Sequence, residues 1–373
     1  MKKIVVIDVG DIMYSRYFDS SIQQLANAAV ITKYSSVNNT ALKYFYRYSE
    51  SMRSGIKRNL VRGFEYILGY NKCLSYIKHS QPDVVHIQWA LIPPADYFFW
   101  RKIKKYTKKL IFTAHDVLPH DMSAGRIKWN RILYNIPDTI VVHGEYCKDE
   151  LRKFYPDVKT KVYIQKHGVF EKKDTYVNED MREKHLPLLE AVEEGKTIIS
   201  FIGQICDYKG LDLLADAWKR IDCENLFLLV AGRTMNDFSY QMEKIKQELS
   251  GFRNCYIYND RFSDEEENLF YGSSDVIILP YKTASMSGVI FSAAQYEKTV
   301  LSTKAGCLGE YLNDVKDCTY TCEPTSESIF RSLVLISKES KSQLIDMGRL
   351  FSEYIYRCYS WEKIIKSLIS EAY

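Results

Sequence analysis

The apolar runs of this chain have strand lengths, and they alternate with longer amphipathic segments from one end to the other. Runs such as "DVIILPY" and "LFLLVAG" are apolar at consecutive positions, so both faces of each strand must be covered. Strands of that kind, separated by helix-length segments, specify parallel sheets flanked by helices, an α/β architecture. In the first half the strand candidates are "KKIVVIDV", "AAVITKY", "DVVHIQW", "KLIFTAH", "TIVVHG" and "KVYIQKH". A charged stretch without a strand follows, "EKKDTYVNEDMREKHLPLLEAVEEGK", and then the series restarts at "TIISFIGQI". The reading is two doubly wound domains, residues 1–170 and 196–354, joined by a linker at 171–195. A chain of 373 residues is long enough for both. Ligands of such sheets bind beyond the carboxyl ends of the strands, so the loops there are where chemistry is expected.

Charge separates the two halves. Residues 1–170 carry 27 Lys and Arg against 14 Asp and Glu, whereas residues 171–373 carry 24 against 33. A basic half joined to an acidic half suggests two domains with different partners. No apolar run approaches the roughly 20 residues that span a bilayer. Asp8 and Asp11 interrupt the first apolar run, which therefore reads as a core strand and not as a signal peptide. Nine cysteines are scattered singly, without a zinc spacing, and read as reduced thiols of a cytosolic protein.

Two loops in the second half have the chemistry of an anion site. In "FIGQICDYKG" a strand ends at Gly203-Gln204, a short polar loop follows, and Lys209-Gly210 opens a helix. Gly203 allows close approach of a ligand, the helix start offers free N–H groups, and Lys209 adds a full charge. Asp207 is placed to cap the helix. The pattern is neither a Walker A loop nor a dinucleotide fingerprint, and a plain turn with a solvated lysine would look the same. In "LPYKTASMSGVIFSAAQYE" Ser285, Ser287 and Gly288 precede another helix. In a parallel sheet both loops leave the same edge, an arrangement that suits a diphosphate. Arg233, in "AGRT", ends a third strand there.

In the first half "TAHDVLPHD" follows a strand, so His115, Asp116, His120 and Asp121 cluster at its carboxyl end. A histidine or carboxylate there can stabilise a developing cation or take a proton. The alternatives are a metal site and loop hydrogen bonding, but the H-D-x-x-x-H-D spacing is no standard zinc motif. His86 and His143 read as satisfied core histidines, and His167 sits at a strand end. The segments 53–80, 96–110 and 126–134 are dense in aromatic and basic residues, which suits an anionic membrane surface. They contain no RNA-module signature, so no nucleic-acid partner is expected.

The second half resembles the donor domain of GT-B-fold, nucleotide-sugar-dependent glycosyltransferases, most closely the family 4 type. The matching segments are "FIGQICDYKGLDLLADAW", "VAGR", "NDRFSDEEENLFYGSSDVIILPY", "SGVIFSAAQYEKTVLST" and "GCLGE", in the family's order. "YSWEKIIKSLI" resembles the closing segment, which implies a terminal helix, about 355–373, returning to the first domain. "PDVVHIQW", "TAHDVLPH", "DTIVVHGEYCKDEL" and "QKHG" match more loosely. The resemblance implies two Rossmann-like domains facing a central cleft. It also implies that Gly203, Gln204 and Lys209 contact the donor diphosphate, with Arg261 and Phe262 at the base. Ser287, Gly288 and Val289 would hold the distal phosphate and ribose. By family position His115 contacts the donor sugar and leaving phosphate, with Asp116 the base of an inverting enzyme. Gly10 and Asp11, with His120, lie on the acceptor side.

Two departures stand out. Gln204 occupies the place of a usual arginine, and the usual pair of glutamates eight residues apart is missing. Ser285 stands near the first glutamate position, Ser292 or Ala293 near the second, and Glu310 is the nearest remaining carboxylate. The expectation is a metal-independent glycosyltransferase without a cofactor. It would move sugar from a UDP- or GDP-linked donor to a lipid-linked or polysaccharide acceptor, at the cytoplasmic face of a membrane in bacterial surface glycan synthesis. A nucleotide-sugar 2-epimerase and a non-catalytic sugar-nucleotide-binding subunit are the alternatives.

Overall fold

Among the described residues thirteen strands gather into two sheets, and every pairing between them is parallel. The computed structural model describes residues 2–10, 12–34, 40–119, 123–173 and 181–373. The chain divides into two units: Met1–Gly168 with Tyr359–Tyr373, and Val169–Cys358.

The N-terminal unit holds β1 (Lys3–Ile7), β2 (Asn27–Lys33), β3 (Leu42–Phe45), β4 (Val84–Ile87), β5 (Lys109–Thr113), β6 (Thr139–Val142) and β7 (Lys161–Ile164). Their order is β3-β2-β1-β4-β5-β6-β7, so the direction of winding reverses between β1 and β4. The four residues of β4 are all buried, which is why "VVHI" reads as a continuous apolar run despite its histidine. His86 in that strand is satisfied on both sides, by Tyr373 Oη at 2.6 Å and Thr113 Oγ1 at 2.7 Å. Burial holds it neutral, at about 3. Strand β3 has no counterpart among the runs expected from sequence. It is a half-exposed edge strand, and "LKYF" carries no apolar run to mark it. Helix Trp361–Ser367 packs on helix Met13–Leu25, which brings the chain's C-terminal segment into this unit.

The C-terminal unit holds β8 (Thr197–Ile202), β9 (Leu226–Ala231), β10 (Cys255–Tyr258), β11 (Val276–Leu279), β12 (Thr299–Thr303) and β13 (Tyr320–Cys322). The order is β10-β9-β8-β11-β12-β13, with the reversal between β8 and β11. Both strands are wholly buried, as are β9 and β12. Helix Leu211–Trp218 covers one face through Leu211, Leu214, Ala215, Ala217 and Trp218, at the spacing of a buried helical stripe. Both units are therefore doubly wound α/β sheets. In such sheets the loops at the reversal diverge and leave room for a ligand.

Candidate active site

In the C-terminal unit the reversal places the loop after β8 beside the loop after β11. Gly203 follows β8 with φ +121°, a conformation that side chains rarely adopt. A β-carbon at Gly203 would lie 3.3 Å from Lys209 Nζ and 3.9 Å from Val289 Cγ2. The glycine, the lysine and the start of helix Val289–Gln295 thus surround one point. Gly210, at φ +68°, closes the loop against β11, since a β-carbon there would lie 2.0 Å from the Pro280 carbonyl oxygen. The loop after β12 joins the group through the Cys307 N–H, which donates to the Ala284 carbonyl at 3.0 Å.

The lysine is the unusual member. Lys209 is only 8% exposed, yet no carboxylate among the described residues pairs with it. Its ammonium faces the Tyr281 ring, 5.4 Å from the centroid. A mostly buried lysine without a counter-ion leaves its ammonium free to meet an arriving anion. Donors accompany it: the backbone N–H groups of Gln204 and Gly288 have no acceptor among the described residues. Buried Ser287 is held by the Tyr281 hydroxyl at 3.1 Å and accepts from the Val289 N–H at 3.3 Å.

One detail differs from the sequence reading. Asp207 does not cap the following helix. Gly210 occupies the cap position without a side-chain bond, and Asp207 pairs instead with Lys282 at 2.9 Å. The Gly203 N–H donates to the Ala231 carbonyl at 2.9 Å. The contribution of Gly203 is the space left by the missing side chain.

The remaining expected residues of this unit lie around the same sheet edge. Arg233 follows β9 and is exposed. Arg261 and Phe262 follow β10, just ahead of a helix whose capping box joins Ser263 and Glu266. The Arg261 N–H is taken by Asp260 Oδ1 at 2.7 Å, whereas the half-buried Phe262 ring packs edge-on against Phe270. Ser285 is half-buried in the β11 loop, and Glu310 lies half-exposed in helix Leu308–Leu312 after β12.

In the N-terminal unit the reversal gathers aromatic and ionisable side chains. Asp8 follows β1 and is buried. Its Oδ1 accepts from the Gly10 N–H at 2.8 Å and from Trp89 Nε1–H at 2.9 Å, while Oδ2 has no hydrogen-bond partner among the described residues. Burial pushes this carboxyl up to about 6. The Trp89 indole stacks on the His115 ring, with centroids 4.1 Å apart and planes 17° from parallel. Gly10 backs directly onto that indole. The Tyr14 ring stands edge-on to His115, His143 and His167. His115 Nδ1 lies 3.0 Å from His143 Nε2, and His143 Nδ1 lies 3.0 Å from the Gln165 carbonyl. Desolvation dominates at both rings and lowers both below the ordinary histidine value. Asp116 is exposed beside this cluster. Asp11, His120 and Asp121 lie outside the described residues. Among the described residues no group of three or more His, Cys, Asp or Glu could hold a metal ion.

Residues 196–336 match the family described as Glycosyl transferases group 1, and residues 46–170 match Glycosyltransferase Family 4. Both matched families are glycosyltransferase families, and the fold shared with solved structures is GT-B, so the chain resembles the glycosyltransferases of family 4. Among curated proteins, the lipopolysaccharide 1,2-N-acetylglucosaminetransferase of Salmonella typhimurium is 26% identical over 184 residues, 46% of this chain and 47% of that one. The match therefore spans about half the length of that relative. Solved structures share the fold over the whole chain. Sucrose-phosphate synthase from Thermosynechococcus elongatus has a TM-score of 0.72 at 14% identity, with 99% of this chain and 98% of that one covered. Anabaena HepE, in complex with UDP-glucose, has a TM-score of 0.68 at 11% identity, with 100% and 99% covered. The catalytic domain of Arabidopsis thaliana starch synthase IV, bound to ADP and acarbose, has a TM-score of 0.70 at 11% identity, with 99% and 98% covered.

Several residues that matter to these two clusters escaped the sequence reading. Tyr281 touches both Lys209 and Ser287, and its signal was the tyrosine that ends the "ILPY" strand. Trp89 and Asp8 fix the surroundings of His115. His143 is a buried, satisfied histidine as expected, but one of its partners is His115 itself.

Proposed function

We propose that this glycosyltransferase takes a UDP- or GDP-linked sugar and transfers it to a lipid-carried or polysaccharide acceptor at the cytoplasmic face of a membrane. The single observation that carries the donor assignment is Lys209, a buried ammonium without a carboxylate partner, beside Gly203 and the first turn of helix Val289–Gln295. In the reaction the bond from the anomeric carbon to the terminal phosphate oxygen breaks, and the leaving diphosphate gains negative charge. Lys209, with the N–H groups of Gln204 and Gly288, would stabilise that charge without reorganising. Ser287 and Val289 would hold the distal phosphate and ribose. Arg261 and Phe262 would lie at the base, with Arg233, Ser285 and Glu310 at the rim. His115 would act on the sugar, with Asp116 as a proton acceptor and Gly10 on the acceptor side.

Helix Ile56–Ser80 supports the membrane part of the reading. Its outer face carries Ile56, Leu60 and Phe64 at 82%, 71% and 63% exposure, followed by exposed Ile67 and Leu68. These residues are spaced as one helical stripe, and Lys57, Arg58 and Arg62 lie on the same turns. Such a face suits the headgroup region of an anionic bilayer, where each basic residue contributes about 1 kcal/mol. No described helix is long and apolar enough to cross a membrane.

The test is to incubate the protein with UDP- and GDP-sugars, with and without lipid-linked acceptors, and to follow nucleotide release. Release that depends on acceptor is the expected result. Isomerised free sugar would mark an epimerase, and binding without turnover a non-catalytic subunit.

A further inference from the structure

The histidine chain of the N-terminal unit has a fixed proton direction. A carbonyl oxygen only accepts, so His143 Nδ1, 3.0 Å from the Gln165 carbonyl, carries a proton. Neutral His143 then has a bare Nε2, which must accept from its partner, His115 Nδ1, at 3.0 Å. That leaves neutral His115 with its lone pair on Nε2, an enclosed atom with no hydrogen-bond partner among the described residues. Desolvation favours the neutral form of both rings. The His115 ring is held in place as well. Trp89 covers one face, Tyr14 meets it edge-on, and Trp89 is itself tied to Asp8.

We infer that His143 is a positioning residue that, anchored on the Gln165 carbonyl, locks His115 into the Nδ1–H tautomer with an accepting Nε2. The inference rests on the reading of His115 as the residue turned toward the donor sugar. Which nitrogen of an imidazole is free is set by the bond its other nitrogen makes. A bare Nε2 accepts from a sugar hydroxyl and cannot donate to a phosphate oxygen. A buried acceptor that no protein group satisfies is the feature expected where a ligand supplies the missing donor.

The experiment uses the full chain labelled with 15N-histidine. Long-range proton–nitrogen correlation reports the tautomer of each ring, assigned by the signals lost in His115→Gln and His143→Gln. In the wild type, His115 should show a protonated Nδ1 and a bare Nε2. His143→Leu should release His115 toward the Nε2–H form. His143→Gln, whose amide oxygen can still accept from His115 Nδ1, should retain the wild-type tautomer. In turnover, His143→Leu should lower kcat on the order of 10²-fold. Its KM for the nucleotide sugar should stay within about threefold of the wild type, because a group acting only in the chemical step is being misplaced. His143→Gln should recover most of that loss. An Nε2–H wild-type His115, or a Gln variant as slow as the Leu variant, would overturn the inference. Full turnover by His115→Ala would instead defeat the catalytic reading of His115, while the spectra would still report on the relay.

Discussion

Replacing Lys209 by Met separates binding from stability, because the charge should matter to a bound diphosphate and little to the free fold. Methionine keeps an unbranched stem against Tyr281 and removes the charge. Lys209 is buried with no carboxylate beside it, so its ammonium is available to a phosphate. A hydrogen bond to a charged group contributes about 1.5–3 kcal/mol. Losing it should weaken the binding of UDP or GDP roughly 10- to 150-fold, measured by titration calorimetry. In the free protein the ammonium faces the Tyr281 ring, a contact of about 0.5–1 kcal/mol. Its loss is partly offset by the packing of the methionine stem, so the melting temperature should shift by less than about 2–4 °C. If the variant bound both nucleotides as the wild type does, Lys209 would have no part in holding phosphate. A larger fall in melting temperature would show that the lysine is structural.

His115→Ala should lower kcat on the order of 10²-fold while calorimetry finds UDP affinity unchanged; full turnover would remove this residue from the mechanism. Asp8→Asn should stabilise the protein at neutral pH. The folded value of Asp8, about 6, lies above its ordinary 3.8, so the wild type loses stability as pH rises from 4 through 6. An asparagine oxygen keeps both hydrogen bonds without titrating. The gap between variant and wild type should therefore open over that range to about 3 kcal/mol and vanish below pH 4, as read from urea melts across pH. Leu60→Glu with Phe64→Glu, on the exposed stripe, should abolish flotation with anionic vesicles and leave the melting temperature unchanged; undiminished flotation would place membrane contact elsewhere.

Much of the fold was legible because buried parallel strands have an unmistakable pattern. "TIISFI", "LFLLVA" and "VIIL" are apolar at nearly every position, and each is a fully buried strand. Strand β3 was not legible, since a half-exposed edge need not be apolar on both faces. The phosphate loops could be placed by their glycines and helix starts, but not the burial of Lys209. That depends on Tyr281, which reaches the lysine only once β8 and β11 are adjacent. The stacking of Trp89 on His115 was hidden for the same reason. It needs the register of β4 against β5, which aligns Ile87 with Phe112 and sends the residues beyond them off one edge. The cap assigned to Asp207 failed because Gly210, in a left-handed conformation, opens the helix and leaves Asp207 to pair with Lys282. Asp11 and His120 stay as sequence expectations, outside the described residues.

One sheet edge in the C-terminal unit is proposed to grip a nucleoside diphosphate. A crystal structure of the full chain soaked with UDP would locate the ligand. Phosphate oxygens within about 3 Å of Lys209 Nζ, with others on the N–H groups of Gln204 and Gly288, are the expected result. Well-defined UDP bound elsewhere, or none at saturating concentration, would contradict it.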